Sequence, residues 1–152
     1  MKSKNEKNMM AIVWLHVVSM VLGFAALVAY DAVLIVAAKS KSAEFIQQAL
    51  NSTAPAGLAG KILVIIGLLA GVHLAGKFGY GATWLVGSYV LMALSMFLGA
   101  VVLDPIRKRL LVAAVAGDRQ IAEFRLGSVP LIVLYISSLC WAIVIGLMLA
   151  KP

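Results

Sequence analysis

The chain has two histidines, His16 and His73, and both lie within long apolar stretches. An ionisable side chain in such a stretch usually faces the protein interior or water, because exposing it to lipid is costly. His16 is near the start of the first stretch and His73 near the end of the second. Because successive membrane helices run antiparallel, we expect both at one depth. Imidazoles from two facing helices are the axial ligands of many b-type haems. The pattern predicts haem b between His16 and His73, in a small membrane subunit that holds a cofactor or transfers electrons.

Methionines near the histidines allow a second chemistry. Met20 follows His16 by four residues, so both share a helical face, and Met92 is expected at the depth of Met20. Thioether and imidazole groups suit Cu(I). The alternative is therefore a copper-handling membrane protein, with a metal site formed by His16, His73, Met20 and Met92.

A third interpretation needs no cofactor. Imidazoles near a membrane surface reach water or headgroups, and methionine commonly fills gaps in apolar packing. The chain would then be an accessory structural subunit of a larger membrane complex, without chemistry of its own.

Other catalytic patterns are absent from the sequence. There is no Gly-rich phosphate loop, no His-Glu-x-x-His pair and no row of charges within the apolar runs. The single cysteine, Cys140, excludes an internal disulfide and a cysteine-based metal site. Asp31 is the only carboxylate inside a long apolar run, and we expect it at an interface, paired with Lys39, Lys61 or Arg107. The sequence predicts no independent catalytic activity, and neither primary transport nor hydrolysis is expected.

The composition indicates that membrane-spanning helices position the candidate histidines and methionines. Of 152 residues 63% are hydrophobic and 12% charged, whereas about a quarter of a soluble domain is charged. Four apolar runs can each cross the hydrocarbon core, for which about 20 residues suffice. They predict a single all-α membrane domain over residues 1–152, a four-transmembrane-helix bundle with helices at about 10–38, 58–76, 83–104 and 129–150. Pro130 suits the first turn of the last helix, and Asp104-Pro105 is expected to end the third.

Two loops carry most of the remaining polar residues. Residues 40–57 place apolar side chains such as Ile46 and Leu50 at helical spacing, and residues 106–127 combine a run of three basic residues with leucine and valine. Amphipathic segments of this kind lie in the membrane interface. We therefore expect two interfacial loop helices beside the bundle.

Basic residues set the expected orientation. Of the 13 lysines and arginines, the larger share falls on the side of the two long loops and the smaller on the side of the termini. The positive-inside rule then places the loops in the cytoplasm and both termini outside, in a multi-pass protein of the inner (plasma) membrane. The net charge of +7 is accordingly assigned to anionic lipid headgroups, with no nucleic-acid partner expected.

Small residues recur every four positions and predict where helices pack, since close backbone approach drives helix association in lipid. The rows are Ser19 and Gly23, Gly67 and Gly71, Ser95 and Gly99, and Ser138, Ala142, Gly146 and Ala150. We expect the row on the fourth helix to hold the bundle together. The alternative is that such rows bind other membrane subunits or a second copy of the chain.

The first helix, at Trp14-Leu15-His16 followed by Gly23, resembles the opening of small bacterial predicted integral membrane proteins of uncharacterised function, akin to the copper-resistance D domain. The stretch from Gly79-Tyr80-Gly81 to Pro105-Ile106-Arg107 is similar to their third helix, and the likeness covers most of the chain in layout. The resemblance implies a four-helix unit with His16 as the candidate ligand position. It also implies a link to copper handling or, through b-type cytochromes, to haem.

Overall fold

The computed structural model describes residues 4–76, 83–117 and 127–149. They form α1 (Lys4–Ala38), α2 (Ala43–Ala75), α3 (Thr83–Leu98), α4 (Asp104–Ala116) and α5 (Val129–Leu149), with a π-helical segment, Gly99–Leu103, between α3 and α4. No strand occurs in these ranges. Four stretches within them are long and apolar enough to cross a membrane: Glu6–Ala38, Ala43–Ala75, Thr83–Ala116 and Val129–Met148. The predicted all-α fold with four membrane-spanning helices is confirmed.

The first expected interfacial helix is instead the beginning of α2. The Ser42 hydroxyl caps this helix by accepting a hydrogen bond from the Phe45 N–H, and the helix continues without a break through Pro55 to Ala75. Ile46 and Leu50 are buried in a cluster with residues of α1, α4 and α5. The apolar side of this segment therefore packs against helices and not against the membrane surface.

The second expected interfacial helix is the continuation of the third spanning helix. Asp104-Pro105 does not end that helix, because the π-helical segment widens it just before the proline, which has no N–H to contribute. The Asp104 N–H donates to the Gly99 carbonyl, five residues earlier. The chain then continues as α4 and ends at Gly117, whose φ of 110° is easily adopted only by glycine.

The helices associate as two antiparallel pairs. α1 packs along most of α2, and α3 packs against α5. The pairs meet where α1 touches α5 and where α2 touches α4, whereas the described residues of α2 and α3 make hardly any contact with each other. This arrangement leaves space between the two pairs.

A row of glycines lets α1 and α2 approach closely. A methyl group added at Gly67 would lie 2.6 Å from the Met20 Sδ, and one at Gly71 would lie 2.8 Å from the His16 Cε1. Towards the other end of the pair, the same row places Gly57 beneath Tyr30. Spacings of three and four along both helices are those of an antiparallel pair that crosses at about 20°. The expected row on the second helix is thus part of the closest helix contact.

The expected packing row on the fourth helix faces outward instead. Ala142 and Gly146 are exposed, and a methyl group added at Gly146 would meet no atom within 4 Å. α5 buries Trp141 and Val144 instead. Ala150, the last member of the expected row, lies outside the described residues.

Two buried clusters fill the bundle. The central cluster comprises Met20, Val64, Met92, Trp141 and Val144. The second comprises Leu34, Ala37, Ile46, Leu50, Leu103, Leu110, Ala114 and Val133. It lies mainly where α1, α2 and α4 continue beyond Asp31 and Asp104, and we call this part of the molecule, residues 32–57 and 105–116, the cap.

Candidate functional site

The structure places the two histidines on different sides of α2. The His16 Nδ1 lies 2.6 Å from the Gly67 carbonyl oxygen. Because a carbonyl only accepts, the Nδ1 must donate, which leaves Nε2 as an acceptor in the neutral ring. His73 is exposed and follows Gly71 by two residues, so it lies roughly 200° around α2 from the glycine row. The structure therefore does not bring His16 and His73 together.

This placement does not fit haem ligation by both histidines. Such a haem would need His16 and His73 on the walls of one space, whereas the cavity between the helix pairs that His16 lines does not include His73 among its described lining residues. On its α2 side, the His16 ring is packed against the backbone at Gly71. Binding of haem b between the histidines stays a prediction, and the geometry gives it no support.

The structure brings some of the residues that were expected to bind copper near one another. Met20 and Met92 lie in the central cluster, and Met92 lines the same cavity as His16. Among the described residues there is no group of three or more His, Cys, Asp or Glu side chains placed to hold a metal ion. Met20 and Met92 are 7% and 3% exposed, as packing residues are. Copper binding also stays a prediction.

A larger concentration of polar groups lies at the other end of the bundle. A cavity of about 220 Å³, which we call cavity A, lies between the two helix pairs at the level where the cap begins. Its walls are mostly apolar. Its lining includes Phe24, Tyr30, Asp31, Lys61, Ser95, Gly99, Asp104, Ser137 and Trp141.

Of the two carboxylates that line cavity A among the described residues, Asp104 forms an ion pair and Asp31 does not. The Lys61 Nζ donates to an Asp104 carboxylate oxygen at 2.6 Å, which joins α2 to α4. Asp31, on α1, receives no hydrogen bond within the described part of the chain. The interface position expected for Asp31 is the level of this ion pair. Of its expected partners, Lys61 is held by Asp104, and Arg107 acts on Asp31 only electrostatically, because its hydrogen bonds go to other groups. One carboxylate on the cavity wall is therefore left able to accept.

Aromatic and hydroxyl groups complete cavity A. The rings of Phe24 and Trp141 are tilted against each other with centroids 4.9 Å apart. The Ser95 and Ser137 hydroxyls hydrogen-bond to each other between α3 and α5. A methyl group added at Gly99, in the π-helical segment, would meet no atom within 4 Å. Short π-helical segments are frequent at functional sites, and this one keeps a wall of cavity A open.

Sequence reasoning identified Asp31, with Lys61 among its possible neighbours, and missed the rest of this site. Asp104 ends an apolar run at the depth expected for Asp31, and that position could have been used to find it. Trp141 lies within the last apolar run, and nothing in its local sequence shows that it reaches across the bundle to Phe24.

Comparison with family models matches residues 10–152 to a family described as "Predicted integral membrane protein (DUF2269)". Neither the curated proteins nor the solved structures yield a match to the chain. The match covers α2 to α5 and all of α1 except its first six residues, and it confirms the expected kinship with predicted integral membrane proteins.

Proposed function

This chain belongs to that family of predicted integral membrane proteins, and we propose that it binds an organic cation with an apolar body in cavity A. The observation that carries the proposal is the composition of the cavity wall. It combines two aromatic rings, Phe24 and Trp141, with a carboxylate, Asp31, that has no hydrogen-bond donor among the described residues.

Each of these groups favours a cation. Aromatic faces attract cations, and quaternary ammonium ions are recognised by aromatic walls of this kind. A carboxylate adds a charge-assisted contact, which is stronger inside a bundle than in water because the local dielectric is lower. Within the lining, the charge of Asp104 is offset by Lys61. Asp31 interacts electrostatically with Arg107, which lies outside the lining, but forms no hydrogen bond with it. The Asp31 carboxylate is therefore the group on the wall that can contact a cation directly.

The position of cavity A favours an amphiphilic ligand. The cavity is lined by α1 and α2 on one side and by α3, α4 and α5 on the other, and α2 and α3 hardly touch each other. An amphiphile in the membrane, with its charge near the level of Asp31, would enter between α2 and α3. Pockets that bind small molecules are typically mostly apolar, with a few polar groups that fix orientation.

The bundle thus still holds a ligand, as the sequence predicts, but the proposed ligand is an organic cation in place of haem or copper. Haem, copper and a purely structural role in a larger complex remain the alternatives. The absorbance spectrum and metal content of the purified protein separate these from cation binding. A Soret band would favour haem, and bound copper without haem would favour the copper hypothesis.

The test uses benzyltrimethylammonium, an aromatic quaternary cation, and its uncharged carbon analogue neopentylbenzene. Binding to the protein in lipid nanodiscs is measured by equilibrium dialysis. We expect the cation to bind and Asp31→Asn to weaken it about tenfold or more, since loss of a charge-assisted contact costs roughly 1.5–3 kcal/mol. Binding of the neutral analogue should change little.

Two glycine variants provide the matched control. Gly99→Leu fills cavity A and should abolish binding, whereas Gly146→Leu adds the same side chain where no atom lies within 4 Å and no described cavity is lined. Equal binding by both variants, or an Asp31→Asn variant that binds the cation as tightly as the unmodified chain, would show that cavity A is not the site.

A further inference from the structure

Three cavities follow one another along the bundle. A second one, cavity B, has a volume of about 260 Å³ and is lined by residues that include Met9, His16, Trp84, Met92 and Met148. A third, cavity C, of about 80 Å³, lies between α1 and α5. Cavity C shares Phe24 and Trp141 with cavity A. It shares Met148 with cavity B.

Together the cavities extend across the thickness of a membrane. Met9 lines cavity B and Asp31 lines cavity A, and both are on α1. At 1.5 Å per residue, these positions lie about 33 Å apart along the helix. The hydrocarbon core of a bilayer is about 30 Å thick. The series of cavities therefore reaches from one side of the apolar layer to the other.

The central cluster interrupts this series. Met92 and Trp141 are 3% and 4% exposed and, with Met20, occupy the level between cavities A and B. Along α3, Met92 on the wall of cavity B is one helical turn from Met96 on the wall of cavity A. Along α1, Val17 on the wall of cavity B is about two turns from Phe24 on the wall of cavity A. A barrier of one to two helical turns, made partly of flexible methionine side chains, therefore separates the two larger cavities.

We propose that cavities A, C and B form a passage through the bundle and that Met20, Met92 and Trp141 are its hydrophobic gate. Apolar constrictions of this kind block a pore by excluding water and polar solutes until side chains or helices move. The two helix pairs meet over limited areas, so a shift of one pair against the other would open the gate. The passage rests on the proposed function for the identity of its cargo, an organic cation, which would move down its own gradient.

The chemistry changes along the passage. Cavity A offers the Asp31 carboxylate and aromatic rings. Among the described residues, the lining of cavity B includes no carboxylate or lysine, and its polar groups include the His16 imidazole and the Ser88 hydroxyl. A cation is therefore held at the A end and weakly retained at the B end. That asymmetry favours release once the gate has been passed.

The test measures efflux of benzyltrimethylammonium from proteoliposomes that contain the full chain. Met92→Ala removes most of the side chain that closes the passage on α3, and we expect efflux to rise about tenfold because the constriction that excludes water is widened. Leu139→Ala is the control, because Leu139 is 61% exposed on α5 and lines none of the three cavities. Thermal unfolding shows that each variant is folded.

Met92→Trp tests the opposite change. It should stop efflux while leaving equilibrium binding in cavity A intact. If neither Met92 variant changes efflux although Asp31→Asn weakens binding, the passage is wrong and cation binding stands. If Met92 variants change efflux but binding is independent of Asp31, the passage stands and the proposed binding site at Asp31 is wrong. Efflux no faster than from protein-free liposomes, for both the unmodified chain and Met92→Ala, overturns the passage.

Discussion

At the scale of single residues, Arg107 organises the boundary between the membrane bundle and the cap. It is only 7% exposed, and its guanidinium carbon lies 3.4 Å from the centroid of the Tyr30 ring. The Nη1 group donates to the Thr53 hydroxyl at 3.2 Å and to the Leu50 carbonyl at 3.4 Å, and the Nη2 group donates to the Tyr30 carbonyl. One side chain of α4 thus ties α1 to α2. The planar fork of arginine can serve several acceptors and an aromatic face at once.

Arg107→Lys should therefore lower the thermal stability of the bundle although it keeps the charge. A lysine donates all its hydrogen bonds from a single nitrogen and stacks poorly on a ring. The carbonyls of Leu50 and Tyr30 would therefore not both keep a donor, and an unsatisfied buried carbonyl costs about 1–3 kcal/mol. Thermal unfolding in a single detergent measures the change. Lys108→Arg is the control, since Lys108 is exposed beside it. An unchanged melting temperature in Arg107→Lys would mean that the contacts of Arg107 do not hold the cap to the bundle.

Single residues also show what the sequence alone can and cannot predict. Asp31 could be recognised because a carboxylate in a long apolar run is exceptional whatever its surroundings are. The pairing of His16 and His73 was inferred from depth alone. Depth follows from counting along a helix, but rotation decides whether two side chains meet. His73 is two positions from Gly71, on the wrong side of α2, and only the identity of the packed face reveals this.

At the scale of elements, the glycine row of α2 explains why α1 and α2 form the closest pair. Every apolar run in this chain has a row of small residues, so the sequence shows where close packing is possible. It does not show which rows are used, because lipid tails are as apolar as the protein interior and the hydrophobic effect does not separate the two faces. The row on α5 is the longest, which is why it is the row expected to hold the bundle together. In the structure it faces outward, whereas Gly67 and Gly71 lie in the α1–α2 contact.

Gly67→Val should therefore destabilise the bundle, and Gly146→Leu should leave its stability nearly unchanged. The valine would need space that the Met20 side chain and backbone already occupy, and overpacking of a closely packed contact costs about 1–3 kcal/mol. Thermal unfolding of both variants in the same detergent gives the comparison. A larger loss for Gly146→Leu would restore the fourth helix as the main packing surface, or show that it contacts a second copy of the chain.

At the scale of the whole molecule, three of the four spanning stretches, with 33, 33 and 34 residues, are longer than a bilayer requires. α2 has 33 residues, or about 50 Å at 1.5 Å per residue, against a hydrocarbon core of about 30 Å. Hydropathy correctly located the apolar parts of these helices, but it assigned their polar continuations to loops. The cap was missed because its core pairs residues far apart in the chain, such as Leu34, Ile46 and Leu110. No local pattern reports that pairing.

The cap gives the orientation prediction a physical basis that can be measured. Exposed basic residues of the cap and its turns, such as Lys39, Lys41, Lys108 and Arg109, are expected on the cytoplasmic side by the positive-inside rule. Single cysteines are introduced at Ser42 and Ser128, in a Cys140→Ser background, and at Ser3, which lies outside the described residues. A membrane-impermeant thiol reagent applied to intact cells should modify the cysteine at position 3 and neither of the others. The reverse pattern would place the cap outside the cell. Modification at only one of positions 42 and 128 would mean that the spanning helices do not alternate as the four apolar runs predict.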